Sequence, residues 1–342
     1  RYGLNALRGV GAGAVRAIVE GRRDGDYRDL YDYVERVDYE ALNKRVVESL
    51  IKAGAMDSLA LHTANLLAGN DMGEACLEIT GLGPTLRFET PVAFALSGGE
   101  FAPTLDGKPL EMDRAYSAPK GSVLQVGACK KGFRCYLAVN GGFDVPLVMN
   151  SRSTYLKGAF GGFQGRAIQK GDTLPLREPQ FWLNAMDKRS ASYPLPEGVS
   201  VIHVIMGPQD DCFSPRGKRT FLQKEYTLGQ SCDRMGYRLE GPAIERSEGF
   251  NGNILSDGVA MGSVQVPDGT PLIMMADRQT TGGYGKIATV ASFDLPVLAQ
   301  CRPGDKITFT AVTVEAAHQE MARRRRALFA LRDALEMPPG LW

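Results

Sequence analysis

Residues 262–290 read GSVQVPDGTPLIMMADRQTTGGYGKIATV. Two strand-like phrases, GSVQVPDG and TPLIMMA, open the stretch, separated by Pro267-Asp268-Gly269. That tripeptide is a turn with a mechanism, because proline fixes φ and glycine tolerates a positive one. The same kind of run recurs as SVLQVGA (122–128), RCYLAVNGG (134–142), VSVIHVIMGP (199–208) and KITFTAVTV (306–314). Short strands at close spacing with few helical stretches between them predict a mainly β chain of antiparallel sheets closed into barrels. After Ala276 the opening stretch stops behaving as a strand. Asp277, Arg278, Gln279, Thr280, Thr281, Gly282, Gly283, Tyr284, Gly285 and Lys286 follow one another. A packed core has no use for that run.

Composition narrows the rest. The 342 residues suffice for about two domains, and 40 Lys and Arg against 39 Asp and Glu exclude a general polyanion-binding surface. No apolar run is long enough for a membrane span, so a cytoplasmic protein with no membrane partner is expected. The six cysteines form no C-x-x-C pair, which suits a reduced compartment better than a disulfide scaffold or zinc module. His62, His203 and His318 stand far apart, so no metal site is expected.

Residues 1–58 have a different character. Leu4, Leu7, Val10, Ala14, Ile18 and Val19 follow helical spacing, interrupted by Gly9-Val10-Gly11, and Leu42, Val46, Val47, Leu50 and Ile51 share one face of a second helical stretch. A Gly-x-Gly turn before a helix can offer N–H groups to a phosphate, or be a plain turn. At the other end, EAAHQEMARRRRALFALRDALE returns to helical spacing; its Arg323–Arg326 run reads as a solvated helix face.

Three phrases of the head, GLNALRGVGAGAVRAIVE, DLYDYVERVD and NKRVVESLIKAGAMDSL, resemble in order the helix-hairpin-helix region of the alpha subunits of bacterial DNA polymerase III. The resemblance implies a DNA-backbone-binding module. With ten basic and ten acidic residues in 1–58, only weak, salt-sensitive DNA binding is expected, about 10⁻⁴–10⁻⁶ M, or none.

The body carries a second resemblance. ANLLAGND (64–71), LEITGLGPTLRFE (77–89), GGFDVPLVMNSRSTYLKGAFGGFQGRAIQKGD (141–172), QSCDRMGYRLEGP (230–242) and ILSDGVAMGSVQVPDG (254–269), with the opening run, resemble the family of 5-oxoprolinase C subunits. That family is also called the biotin-dependent carboxyltransferase or allophanate hydrolase subunit 2 family. The likeness implies tandem cyclophilin-like β-barrels. It implies a role beside a B-type subunit, with an A-type one as a further partner, in ATP-dependent opening of a small amide, 5-oxoproline, to glutamate. Relatives in urea carboxylase move a carboxyl group from biotin to urea. No Ala-Met-Lys-Met phrase occurs here, so any biotin would arrive on a partner, as ATP would.

The resulting expectation is a helix-hairpin-helix-like segment over 1–57, a first barrel over 58–195, a second over 196–314 and a C-terminal helical tail over 315–342. Members of this family usually begin with leading strands that precede a Ser-Gly-Ala-Met-Asp phrase. Here only Ala53-Gly54-Ala55-Met56-Asp57 remains, so the first barrel should be incomplete and show an unpaired edge. A non-catalytic regulatory protein on the same barrels and a DNA-binding polymerase fragment are the alternatives to an enzyme component.

For the site, the glycines at 282, 283 and 285 let backbone approach a ligand. Arg278 is suited to clamp an anionic group, Lys286 to meet developing charge, and Gln279 and Thr280, with Thr281, to orient an amide. Gly282, Gly283 and Tyr284 belong to the substrate-binding set. The alternative is a β-turn with an Asp277–Arg278 surface ion pair. Asn150, Arg152, Ser153 and Thr154 form a polar cluster that either binds an anion or satisfies a loop. Asp233 and Arg234 are either site residues or an ordinary salt bridge.

Overall fold

A computed structural model describes residues 54–148, 151–178 and 186–336. Residues 1–53 of the helix-hairpin-helix-like head, and Asn150, lie outside the described residues. Among the described residues four α-helices flank the strands: α1 (Ser58–Leu67), α2 (Pro215–Gln223), α3 (Leu295–Gln300) and α4 (Val314–Glu336).

Seven strands between Ser200 and Ala311 close into a barrel. Antiparallel pairings run most of the way round, and one parallel pair, Lys306–Ala311 against Ser200–Met206, completes the ring. Closure leaves these strands without an edge. Alternation fills the interior: Ile202, Val204, Val264, Val266, Ile273, Ile287 and Phe309 all lie in one buried cluster. α2 is started by the Ser214 side chain, which accepts from the Gly217 N–H, with Pro215 in its first turn. It seats Phe221 on Phe309, with ring centroids 4.3 Å apart. Each such fully buried side chain contributes ~1.5–3 kcal/mol over leaving it in water.

The first β region does not close. Leu77–Thr80, Cys129–Val139, Val92–Phe101 and Arg114–Ala118 form one four-stranded sheet, and Thr85–Arg87, Val123–Gln125, Thr104–Leu105 and Lys108–Pro109 form another. Phe88, Phe94, Leu96, Leu124, Leu137 and Val139 pack between them. α1, which the sequence reading did not anticipate, covers the first sheet by burying Ala60, Ala64 and Leu67 against Ala95, Tyr136 and Ala138. Asp57 caps that helix by accepting from the Ala60 N–H at 2.9 Å.

α4 buries only Ala317, beside Phe293 of the closed barrel's flank, and places Leu335 against the first region, where Arg189 donates to the Leu335 carbonyl at 3.0 Å. Among the described residues no helix is long and apolar enough to cross a membrane.

Candidate functional site

Val264, Val266 and Ile287 point into the barrel core, so alternation turns Gln265 and Lys286 outward. They are cross-strand partners in the register of Ser263–Gln265 with Lys286–Val290, at a bulge. Facing cross-strand pairs leave the same side of a sheet. An outward glutamine and lysine should be wet, yet Gln265 is 0% and Lys286 2% exposed.

A two-stranded ribbon covers them. Asn253–Gly258 pairs with Thr281–Tyr284 outside the barrel, with Asp257 opposite Gly282. Asp257 extends an oxygen to 3.7 Å from the Lys286 ammonium. Gly282 lies on Gln265: a Cβ built there would stand 2.7 Å from its amide nitrogen. The Lys286 N–H donates to the Gln209 side-chain oxygen at 3.2 Å. The glycine-rich run is thus half of a flap, with Lys286 emerging underneath.

Arg278 anchors the base of that flap. Its Nε donates to the Val259 carbonyl at 3.0 Å and Nη1 to the Met275 and Ala276 carbonyls at 3.2 and 3.5 Å. Those bonds give it a scaffold role beside any part in ligand binding. Gln279, Thr280, Thr281, Gly282 and Gly283 are half-buried, and Tyr284 is exposed.

Asp277 pairs with Arg234 and not with its neighbour Arg278. Arg234 Nε and Nη2 each donate to the Asp277 carboxylate at 3.0 Å, Nη1 donates to Glu78 at 2.5 Å, and Nη2 also donates to the Gly54 carbonyl. This links the opening run to the first β region. Burial alone would raise the Glu78 carboxyl, but Arg234 and hydrogen bonds from Tyr136 and the Met56 N–H outweigh it and hold it low. Asp233 accepts from the Met235 and Gly236 N–H groups, the bonds of a turn, and takes no part in the Arg234 pairing.

Around this link lies a buried polar junction the sequence reading missed. The Asp57 carboxylate accepts from Tyr193 at 2.5 Å and from Gln300 Nε2 at 2.7 Å. Complete burial pushes its pKa up to about 6 against the pull of those bonds. Arg134 donates across to the Tyr237 hydroxyl at 2.7 Å and to the Ala299 carbonyl at 2.6 Å. No local motif announces it, since the partners lie up to 243 residues apart.

The second polar cluster sits in the first region. Arg152 faces Glu74 at 3.3 Å, and Arg177 pairs with the same carboxylate. The Ser153 N–H donates to the Ser151 hydroxyl, and Thr154 packs where Gly162 leaves room. The structure ties these residues to Glu74 and to their own loop.

A family model described as carboxyltransferase domain, subdomain A and B, matches residues 49–311, and a helix-hairpin-helix motif model matches residues 1–66. The chain is 38% identical over 274 residues to the C subunit of 5-oxoprolinase from Haemophilus influenzae, covering 80% of this chain and 85% of that one. Its head is 48% identical over 71 residues to the alpha subunit of DNA polymerase III from Vibrio cholerae, 20% of this chain and 6% of the polymerase. In three dimensions it is similar to the urea amidolyase of K. lactis, with TM-score 0.76 and 28% identity. That match covers 82% of this chain and 18% of the amidolyase.

Proposed function

We propose a function from the premise that this chain belongs to the carboxyltransferase domain family, subdomains A and B. It serves as the C-type component of an ATP-dependent 5-oxoprolinase, acting with a B-type partner, and an A-type one, to open 5-oxoproline to glutamate. The observation that carries the reading is likeness to a 5-oxoprolinase C subunit along 85% of that protein. A lysine held under a flap, off the hydrophobic core, supports it.

Opening a lactam places negative charge on the carbonyl oxygen. Lys286 is the group that meets it, in a water-poor setting where a fixed charge acts strongly. Asp257 steadies the ammonium from the flap side. ATP supplies the driving force, but the run does not fit a nucleotide. Arg278 is engaged with carbonyls and Lys286 with Asp257, so ATP is assigned to a partner. A second reading, carboxyl transfer from biotin carried on a partner, rests on the likeness to urea amidolyase.

The test combines this chain with A-type and B-type partners, ATP and 5-oxoproline, and follows glutamate and ADP together. Equal glutamate formation without this chain would sink the oxoprolinase reading. Transfer from carboxybiotin to urea, with no glutamate formed, would favour the second.

A further inference from the structure

Gln265 has a property that the lysine chemistry does not use. It is wholly enclosed, yet neither its amide nitrogen nor its amide oxygen meets a hydrogen-bond partner among the described residues. Burying a donor and an acceptor unpaired is costly, and native proteins seldom leave both ends of one amide that way. The amide lies beside Lys286 in the strand register and directly beneath Gly282, where any larger residue would press on it.

A carboxamide presents a C=O and an N–H side by side in one plane. Its best partner is a group carrying an N–H and a C=O on the same side. Ring closure locks a five-membered lactam or cyclic urea in that arrangement. Open-chain secondary amides and peptides are trans and cannot close both hydrogen bonds at once. A site built to bond a substrate N–H also rejects analogues lacking it, because its own polar group is then left unpaired.

We propose that Gln265 is a substrate-contacting specificity residue that reads the cis N–H/C=O edge of a cyclic amide or cyclic urea. The Asn253–Gly258 and Thr281–Tyr284 ribbon lifts to admit that edge. The proposal rests on the reading that Lys286 marks the substrate site. The lactam of 5-oxoproline and the ureido ring of biotin share this edge.

The experiment uses the complex with its partners and ATP. It compares the KM for 5-oxoproline with inhibition constants for the lactone of the same shape and for the N-methyl lactam. The unsubstituted protein should hold both analogues at least about tenfold more weakly than the lactam. Gln265→Leu should raise KM about tenfold or more and erase the difference, and Gln265→Glu, with no N–H to give, should also raise KM. Lys286→Ala should lower kcat and keep the discrimination. Equal binding of lactam, lactone and N-methyl lactam by the unsubstituted complex overturns the proposal, with no variant needed. So does discrimination that survives in Gln265→Leu while Lys286→Ala is inactive, and in that case the oxoprolinase reading stands. If the complex turns over no 5-oxoproline, that reading fails, and ligand-observed NMR with d-biotin decides. Binding lost in Gln265→Leu sustains the cyclic-urea form, and no binding of d-biotin overturns it.

Discussion

Seven of the strands between Ser200 and Ala311 close on themselves, whereas those between Leu77 and Val139 stop as two open four-stranded sheets. The closed region pairs its strands round the ring and fills its interior with apolar side chains. The open region leans on its neighbour through polar groups: Glu78 takes Arg234, Arg134 reaches Tyr237 and the Ala299 carbonyl, and Gln300 bonds the backbone of Phe133 and Arg134. Where closure is missing, a buried polar seam takes its place. Such a seam is less forgiving than a hydrophobic contact, because one lost partner strands the others.

The strongest way to break that comparison is Arg234→Ala. Asp277, buried, and Glu78, half-buried, would be left as carboxylates without their cation, at about 3–5 kcal/mol. Urea denaturation followed by probes in each region checks this. A loss below ~1 kcal/mol would mean that the open sheets stand by themselves.

Next comes the division of labour. Lys286→Ala, in the closed region, should lower kcat of the reconstituted complex about 10²–10³-fold with little change in KM. Arg152→Ala, tied to Glu74 in the open region, should change both constants only slightly. A larger effect from Arg152 would move the chemistry to the other region.

Asp57 sharpens the picture of the seam through pH. Its folded pKa of about 6 lies above the ordinary 3.8, so the folded state holds more protons in that window. Asp113, also raised to about 6 by burial, acts the same way. Their contribution to stability is full below about pH 4 and is lost as pH rises through 6. The Asp57 share is at most about 3 kcal/mol at ~1.4 kcal/mol per unit. Denaturation midpoints of Asp57→Asn from pH 4 to 7 should fall less steeply with pH than those of the unsubstituted chain. Parallel curves would mean the carboxyl is not desolvated.

The smallest effect is expected at the flap. Gly282 has no positive φ, so Gly282→Ala adds no backbone strain, only a methyl 2.7 Å from Gln265 Nε2 and 3.2 Å from Val259 Cγ2. Overpacking of about 1 kcal/mol and a higher KM should follow. An unchanged KM would show that the ribbon does not rest on the site.

Much of this was legible in the sequence. The runs at 199–208, 262–269, 270–276 and 306–314 each hold a barrel strand, and the Leu-spaced tail is α4. Alternation reports which way a side chain faces but not what lies over it. Gln265 between two valines reads as a solvent-facing residue until the ribbon is placed on it. Likewise Asp277 beside Arg278 suggests a local pair, while its partner stands 43 residues away. The run 277–286 was recognisable by composition. The division of its two cations, one on carbonyl oxygens and one under the flap, required the fold.

One short phrase is shared by two unlike sequence matches. The helix-hairpin-helix and carboxyltransferase matches overlap across residues 49–66. Within that overlap Met56 fills the closed barrel's core while its N–H serves Glu78, and Asp57 starts α1. Those contacts are all made by residues from Gly54 onward, in the phrase where the two matches overlap. One phrase thus serves as the end of one match and the beginning of another, and the same two residues that satisfy both also fasten the barrel core to the first helix.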